Sequence, residues 1–191
     1  MRALFFFAIY CFQTADVFLE PQIHIEKTSK NPYNKYGLGG IERMVAEETV
    51  NQILEEFGKS INLENIRLNK DKTCVLCVDE DKNVQVTYNE ANEALDFFAF
   101  VGQVAENEKR CCNYLLKSNS EWALTKGAAL AKGNGSSEVI LEYRLPLLNL
   151  TKELFERTFE QFIGLVTVWK MYLRELGQGN VPKVFAVFQK N

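Results

Sequence analysis

The feature that most constrains the fold is the hydrophobic period, which switches along the chain between that of a helix and that of a strand. From Met44, apolar residues first recur at helical spacing: Val50, Ile53, Leu54, Phe57 and Ile61. Short runs of strand character follow: NIRLN (65–69), TCVLCVD (73–79), VQVTY (84–88) and ALDFFAFV (94–101). The polar loops between these runs have the length of hairpin connections. The first part of the chain therefore predicts a helix followed by four antiparallel strands.

The second part of the chain predicts a helix, two strands and a final helix. The helix spans about 106–118, and its apolar stripe is Cys111, Cys112, Leu115 and Leu116. The strands GAALA (127–131) and EVILEYRLPL (138–147) are joined by the turn KGNGSS. Thr151 is a suitable N-cap for a long helix over 152–176, which Gly177 ends. Its stripe is Phe155, Phe159, Phe162, Val166, Trp169 and Leu173. The predicted order α-β-β-β-β-α-β-β-α is an α+β arrangement of an antiparallel sheet with helices.

Residues 1–43 lie outside this pattern. They begin with Arg2 and an apolar run, which resembles a short signal peptide but has no clean cleavage site. Gly39-Gly40 can be encoded by a purine-rich ribosome-binding sequence shortly before the codon of Met44. We therefore favour the interpretation that residues 1–43 are a mis-assigned start, with an export signal and an unstructured arm as alternatives. The predicted organisation is an extension (1–43), one domain (44–177) and a tail (178–191), with the order of VFAVF in the tail left open.

The charge pattern argues against nucleic acid as a partner. After Arg43 the chain has seventeen basic and twenty-one acidic side chains, without a run of Lys or Arg. Binding to phosphates requires clustered positive charge. The N-terminal apolar run is too short to span a membrane as a helix, so stable membrane insertion is not expected.

The residues that usually carry catalysis are missing from the predicted domain. The only histidine is His24, which lies in the doubtful extension, so a Ser-His-Asp or Cys-His arrangement cannot be built after Met44. Phosphate-binding glycine motifs are also missing. The acidic cluster Asp79-Glu80-Asp81 lacks the ligand spacing and the glycine of a calcium loop. The sequence predicts a protein that is not an enzyme and that has no metal or cofactor.

Five cysteines without regular spacing do not form a secreted disulfide framework. Cys74 and Cys77 form a CxxC, but on a strand they point to opposite faces, and the usual redox motif opens a helix. We interpret them as reduced structural thiols of a protein in a reducing cytosol. A thiol-dependent redox protein remains the alternative.

Several phrases resemble those of the Tir chaperone (CesT-like) family, the class I type III secretion chaperones. They are ILEEFGKSINLENIRLNKDKTCVLCVDEDKNVQVTY, ALDFFAFVGQVAEN, EVILEYRLPL and LFERTFEQFIGLVTVWK. The resemblance covers residues 44–176 and implies a small, acidic, cytoplasmic bacterial homodimer that functions in virulence. Such a chaperone binds the N-terminal chaperone-binding segment of an effector protein and keeps it competent for secretion. The alternative is a small exported or YbjN-like binding protein with the same fold and no secretion role.

The resemblance also implies two sets of site residues. The candidate effector-binding residues are Val50, Ile53, Phe57, Ile66 and Leu68. For Ile53 and Phe57, packing of the first helix on the sheet is the competing explanation. The candidate residues of the dimer interface are Leu115, Leu116, Trp122 and Leu130.

Overall fold

The computed structural model describes residues 9–11, 39–104, 109–133 and 136–185, with side chains from Ala46 onward. Its elements are β1 (Ile9–Cys11), α1 (Gly39–Ser60), β2 (Thr73–Val78), β3 (Lys82–Asn89), β4 (Ala94–Gln103), α2 (Lys109–Asn119), α3 (Trp122–Thr125), β5 (Ala129–Lys132), β6 (Glu138–Pro146) and α4 (Lys152–Gly177). In the described parts of the chain, six strands form one antiparallel sheet in the order β1-β2-β3-β4-β6-β5. The predicted α+β class is confirmed.

The core lies between one face of the sheet and helix α4. Alternate residues of the strands point to this inner face, as the period of two requires. Phe97 of β4 is fully buried there, and its ring centroid is 5.8 Å from that of Phe155 and 5.7 Å from that of Phe162. The apolar stripe predicted for α4 is buried throughout. The Thr151 side chain caps the helix by accepting a hydrogen bond of 3.2 Å from the backbone N–H of Leu154.

Helix α1 packs against α4 through the face that the sequence predicted. The ring of Phe57 lies 5.2 Å from Phe155 and 5.3 Å from Phe159, centroid to centroid. The helix begins at Gly39 rather than at Met44. The predicted boundary between residues 43 and 44 therefore falls inside α1.

The run NIRLN, predicted as the first strand of the domain, is not a strand. Asn65 has a left-handed backbone (φ 61°), which interrupts an extended chain. The backbone N–H of Leu68 donates to Oδ1 of the buried Asn51 in α1 (2.9 Å) instead of to a neighbouring strand. Ile66 is still fully buried. The apolar positions of NIRLN were predicted correctly, but the strand conformation predicted for its backbone was wrong.

Strand β4 continues two residues further than predicted, through a β-bulge. Its register with β6 shifts between Phe100 and Gly102, and Gly102 has a φ of 152°. A Cβ atom at Gly102 would lie 3.0 Å from Cβ of Leu173 in α4. Glycine is needed here because the conformation and the close approach of α4 both disfavour a side chain.

Two sequence predictions near the end of the fold need correction. In α2 the buried positions include Tyr114, and Leu116 of the predicted stripe is exposed. Helix α4 does reach Gly177, but the left-handed turn is made by Gly179 (φ 80°).

Phe185, in the predicted tail, is fully buried and stacks on Tyr114 at 5.0 Å between centroids. Val184 is partly buried and packs against the core, and residues 186–188 of VFAVF lie outside the described residues.

Candidate partner-binding surfaces

Most of the candidate effector-binding residues are inside the protein. Four of them are buried in the single chain: Val50, Ile53, Phe57 and Ile66. They join α1 and the 63–69 segment to the sheet and α4. A partner could contact them only if α1 or this segment moved. Their proposed role in effector binding remains a prediction.

Leu68 is the member of this set that a partner can reach, because it is half-buried. Its neighbour Arg67 is exposed and forms ion pairs with Glu48 (3.2 Å) and Glu55 (3.1 Å) of α1. These pairs and the hydrogen bond from Leu68 to Asn51 hold the segment along α1. Leu68 therefore lies at the border between the core and an acidic helix surface.

The candidate dimer residues divide into two buried and two exposed side chains. Leu115 and Leu130 are buried where α2 packs on β5. Leu116 is 69% exposed and Trp122 is 74% exposed. The two exposed side chains belong to the adjoining helices α2 and α3, and we call them the α2–α3 apolar pair. Large exposed apolar side chains are common at protein interfaces.

The Trp122 ring packs against the backbone at Gly127. Gly127 has a φ of 89°, and a Cβ atom there would lie 2.9 Å from Cη2 of Trp122. The glycine thus permits both the turn before β5 and the close approach of the indole. This contact orients the ring while most of it stays in solvent.

The face of the sheet opposite α4, which we call the outer face, is also partly apolar. Phe100 is 45% exposed, and Ile140, its cross-strand partner, is half-buried. Beside them the buried Asp96 carboxylate accepts two hydrogen bonds from Arg144, of 2.6 and 3.0 Å, and one from Asn89, of 2.7 Å. The sequence gave no sign that Asp96, within the run ALDFFAFV, is buried.

Glu142 is a carboxyl group with a perturbed pKa on this outer face. Burial raises its pKa above the usual value, the Asp96 carboxylate raises it further, and Arg144 opposes the increase. A carboxyl whose pKa is higher in the folded state stabilises the fold below its unfolded pKa. That contribution is lost as the pH rises through the folded pKa. At neutral pH the ionised group therefore lowers stability slightly.

We expect Glu142→Gln to raise the free energy of unfolding at pH 7 by a few tenths of a kcal/mol, because the site is partly open to solvent. The gain should disappear near pH 4, where the carboxyl of the unfolded chain becomes protonated. Urea unfolding of both proteins at the two pH values measures the difference. Equal stability differences at pH 4 and pH 7 would contradict the assignment.

The edge of the sheet at β5 is closed by a side chain. The Oδ1 atom of Asn119 accepts from the backbone N–H of Leu130 (2.8 Å), and its Nδ2 donates to the carbonyl of Leu130 (3.0 Å). An exposed edge strand can pair with another chain, and such blocking prevents it. Strand β5 is therefore protected by the end of α2.

The acidic turn between β2 and β3 is paired with lysines. Lys82 contacts Asp79 (2.9 Å) and Asp81 (3.2 Å), and Lys170 of α4 also pairs with Asp81 (3.0 Å). Burial alone would raise the pKa of Asp81, but the hydrogen bonds from Lys170 and Lys82 outweigh it and lower the pKa. The side chains that the structure describes contain no cluster of His, Cys, Asp and Glu suited to a metal ion.

The cysteines occupy structural positions. Cys74 faces the core from β2, and Cys77 lies on the outer face, as their spacing predicted. The four described cysteines, which also include Cys111 and Cys112, are thiols without disulfides. Among the described helices, none is long and apolar enough to cross a bilayer.

The model of the Tir chaperone protein (CesT) family matches residues 52–170. The chain belongs to this family. The match runs from α1 into α4 and contains strands β2 to β6, which are the elements that form the core. A comparison with curated proteins finds no match.

Two chaperone-sized solved structures similar to this CesT-family chain, with TM-scores above 0.5, have the same fold. The ExsC–ExsE complex matches with a TM-score of 0.60 and 23% identity, over 66% of this chain and 95% of that chain. The HopA1–SchA chaperone–effector complex matches with a TM-score of 0.57 and 16% identity, over 66% and 97%. YbjN from E. coli has a TM-score of 0.47 and 11% identity, over 69% and 92%.

Proposed function

We propose that this protein is a type III secretion chaperone that binds the N-terminal chaperone-binding segment of an effector and keeps it secretion-competent. It would act in the bacterial cytoplasm and catalyse no reaction. The observation that carries the proposal is the match of the Tir chaperone family model to residues 52–170, over the core of the fold. One of the similar solved structures is a chaperone–effector complex.

The physical properties of the surface support binding to an unfolded segment. Binding a disordered segment costs on the order of 2–5 kcal/mol for its ordering, so the partner must gain apolar contact area. Leu68 and the outer face around Phe100 supply such area at two separate places on the chain. A protein with separate apolar surfaces suits a partner that wraps around it.

We propose that the α2–α3 apolar pair forms the contact of a homodimer. Leu116 and Trp122 project from helices whose other faces are already packed. A second copy would remove both side chains from water. Leu115 and Leu130, which are buried where α2 packs on β5, would support this contact by holding α2 in place.

The proposal is tested by purifying the full chain with a C-terminal tag from the cytosol of its native cells. Mass spectrometry identifies bound proteins, and light scattering gives the mass of the complex. A dimer that carries a secreted protein through its N-terminal region is the expected result. A monomer without a partner would contradict it and favour the YbjN-like alternative, and processing of the chain for export would contradict the cytoplasmic location.

Leu68→Asp is expected to weaken capture of the effector at least about tenfold, because it places a charge at an apolar contact. Leu148→Asp is the matched control, since Leu148 is 81% exposed in the loop before α4. Quantitative co-purification with each variant measures the effect. Equal capture by the two variants would show that the effector does not contact Leu68.

A further inference from the structure

Helices α2 and α3 carry the α2–α3 apolar pair, so their position decides how Leu116 and Trp122 are presented. The main neighbours of α2 are α3 and β5. Strand β5 has four residues and lies at the edge of the sheet, where β6 is its partner strand in the described chain. A helix that rests on a short edge strand opens more easily than one packed over the centre of the sheet, because fewer buried contacts hold it.

The segment that follows α4 returns to the core, and we call residues 178–185 the strap. Val181 and Val184 are half-buried against the core, and Pro182 is buried. Phe185 is fully buried. The backbone N–H of Phe185 donates to the carbonyl of Pro182 (2.9 Å), which makes a tight turn at the end of the strap. Phe185 is therefore the largest buried side chain of the strap.

Phe185 joins α2 to α4. Its ring stacks on Tyr114 of α2, with 5.0 Å between the centroids and 15° between the ring planes. The same ring lies 5.4 Å from Tyr172 and 6.0 Å from Trp169 of α4, centroid to centroid. The indole N–H of Trp169 donates to the carbonyl of Leu124 in α3 (3.3 Å). One aromatic cluster thus contacts both helices that carry the apolar pair.

The strap is connected to α4 through an exposed hinge, residues 177–180. Gly179 has a φ of 80°, and a Cβ atom there would meet open space. Gly177 has equally open surroundings, but it is the last residue of the helix and its backbone is not left-handed. A segment held by one buried ring and an exposed hinge can undock while the sheet stays folded.

We propose that docking of the strap positions α2 and α3 for self-association, with Phe185 as the positioning residue. This inference rests on the homodimer of the proposed function. With the strap docked, the aromatic cluster fixes α2 beside α4, so Leu116 and Trp122 keep one arrangement. With the strap undocked, α2 keeps only its contacts with α3 and β5, and that arrangement is lost. The apparent dissociation constant of the dimer then rises, because both copies must be docked to associate.

Hydrogen exchange of the full chain, followed by mass spectrometry at concentrations where the chain is monomeric, tests the hold of the strap on α2. Gly179→Ala places a side chain on a left-handed backbone and is expected to speed exchange in the strap and in α2 about fivefold. Exchange in β3 and β4 should stay unchanged, because the strap opens without the sheet. Gly177→Ala is the matched control. It adds the same methyl group to helical backbone and should not speed exchange.

Sedimentation equilibrium of full-length variants tests the link to self-association. Phe185→Ala is expected to raise the dissociation constant of the dimer at least about tenfold. Phe185→Leu keeps an apolar side chain in the cluster and should stay within about threefold of wild type. Phe159→Ala is the control for lost stability, because Phe159 is nearly as buried but packs against Phe57 and Phe155. It should lower the unfolding midpoint and leave the dimer unchanged.

The inference is overturned if the Gly177→Ala and Gly179→Ala proteins exchange alike, or if Phe185→Ala dimerises as tightly as wild type. Equal loss of the dimer in Phe159→Ala and Phe185→Ala would also overturn it, because general destabilisation would then explain both. A wild type that stays monomeric would refute the homodimer and with it this role of the strap. A dimer that is indifferent to Phe185 would refute only the strap. Neither experiment contains an effector, so both outcomes are separate from that of effector binding.

Discussion

Replacing Phe97 with alanine is expected to lower the free energy of unfolding by about 3–5 kcal/mol. Phe97 is fully buried in the centre of the sheet and lies within 6.3 Å, centroid to centroid, of Phe155, Phe162 and Tyr143. Its removal would leave a cavity between the sheet and α4. Because β4 is paired with β3 and β6 and α4 packs across it, that cavity can close only in part.

Phe100→Ala provides the matched control in the same strand. Phe100 is on the outer face and is 45% exposed, so the same truncation should cost less than about 1 kcal/mol. Denaturant unfolding followed by circular dichroism measures both values. Similar losses for the two variants would mean that the inner and outer faces of β4 have been assigned wrongly, or that a second copy covers Phe100.

The second large effect concerns self-association. Leu116→Asp and Trp122→Ser are each expected to weaken the proposed dimer at least about thirtyfold, which corresponds to 2 kcal/mol at an interface hot spot. Both side chains are mostly exposed in the single chain, so the folded monomer should keep its stability. A charge at position 116 would also be desolvated in the dimer.

Met171→Asp is the control for this experiment, because Met171 is 47% exposed on α4 and outside the α2–α3 apolar pair. Sedimentation equilibrium over a range of concentrations gives the dissociation constant of each protein. A wild-type protein that stays monomeric would refute the homodimer. Dimers disrupted by Met171→Asp but not by the other two changes would place the interface on α4 instead.

The elements that could be predicted from the sequence are those whose pattern is set by one buried face. The stripes of α1 and α4 and the alternation in β3, β4 and β6 each reflect contact with a single core, so their positions follow from spacing alone. Thr151 likewise acts on its own helix and was identified as the cap. Local patterns of this kind were sufficient to predict the fold class.

Features that depend on distant partners could not be read from the sequence. NIRLN alternates like a strand, but Asn51 of α1 binds its backbone, and no local signal encodes that contact. The burial of Asp96 depends on Arg144, which is far away in the chain. In α2 the sequence could not distinguish Leu116 from Tyr114 as the buried residue, because the choice depends on the position of Phe185. The candidate binding residues are equally hard to predict from the sequence. A binding interface uses side chains that the folded single chain leaves exposed, and that exposure depends on distant contacts.

The position of Phe185 also bears on how this chain relates to its family. The family model ends at residue 170, yet Leu173, Leu176 and Phe185 beyond it are buried in the same core. Phe185 contacts Tyr114 of α2 as well as Trp169 and Tyr172 of α4. The segment that the family model matches is therefore shorter than the segment whose side chains form the core. A chain cut at residue 170 would lose three buried side chains from that core.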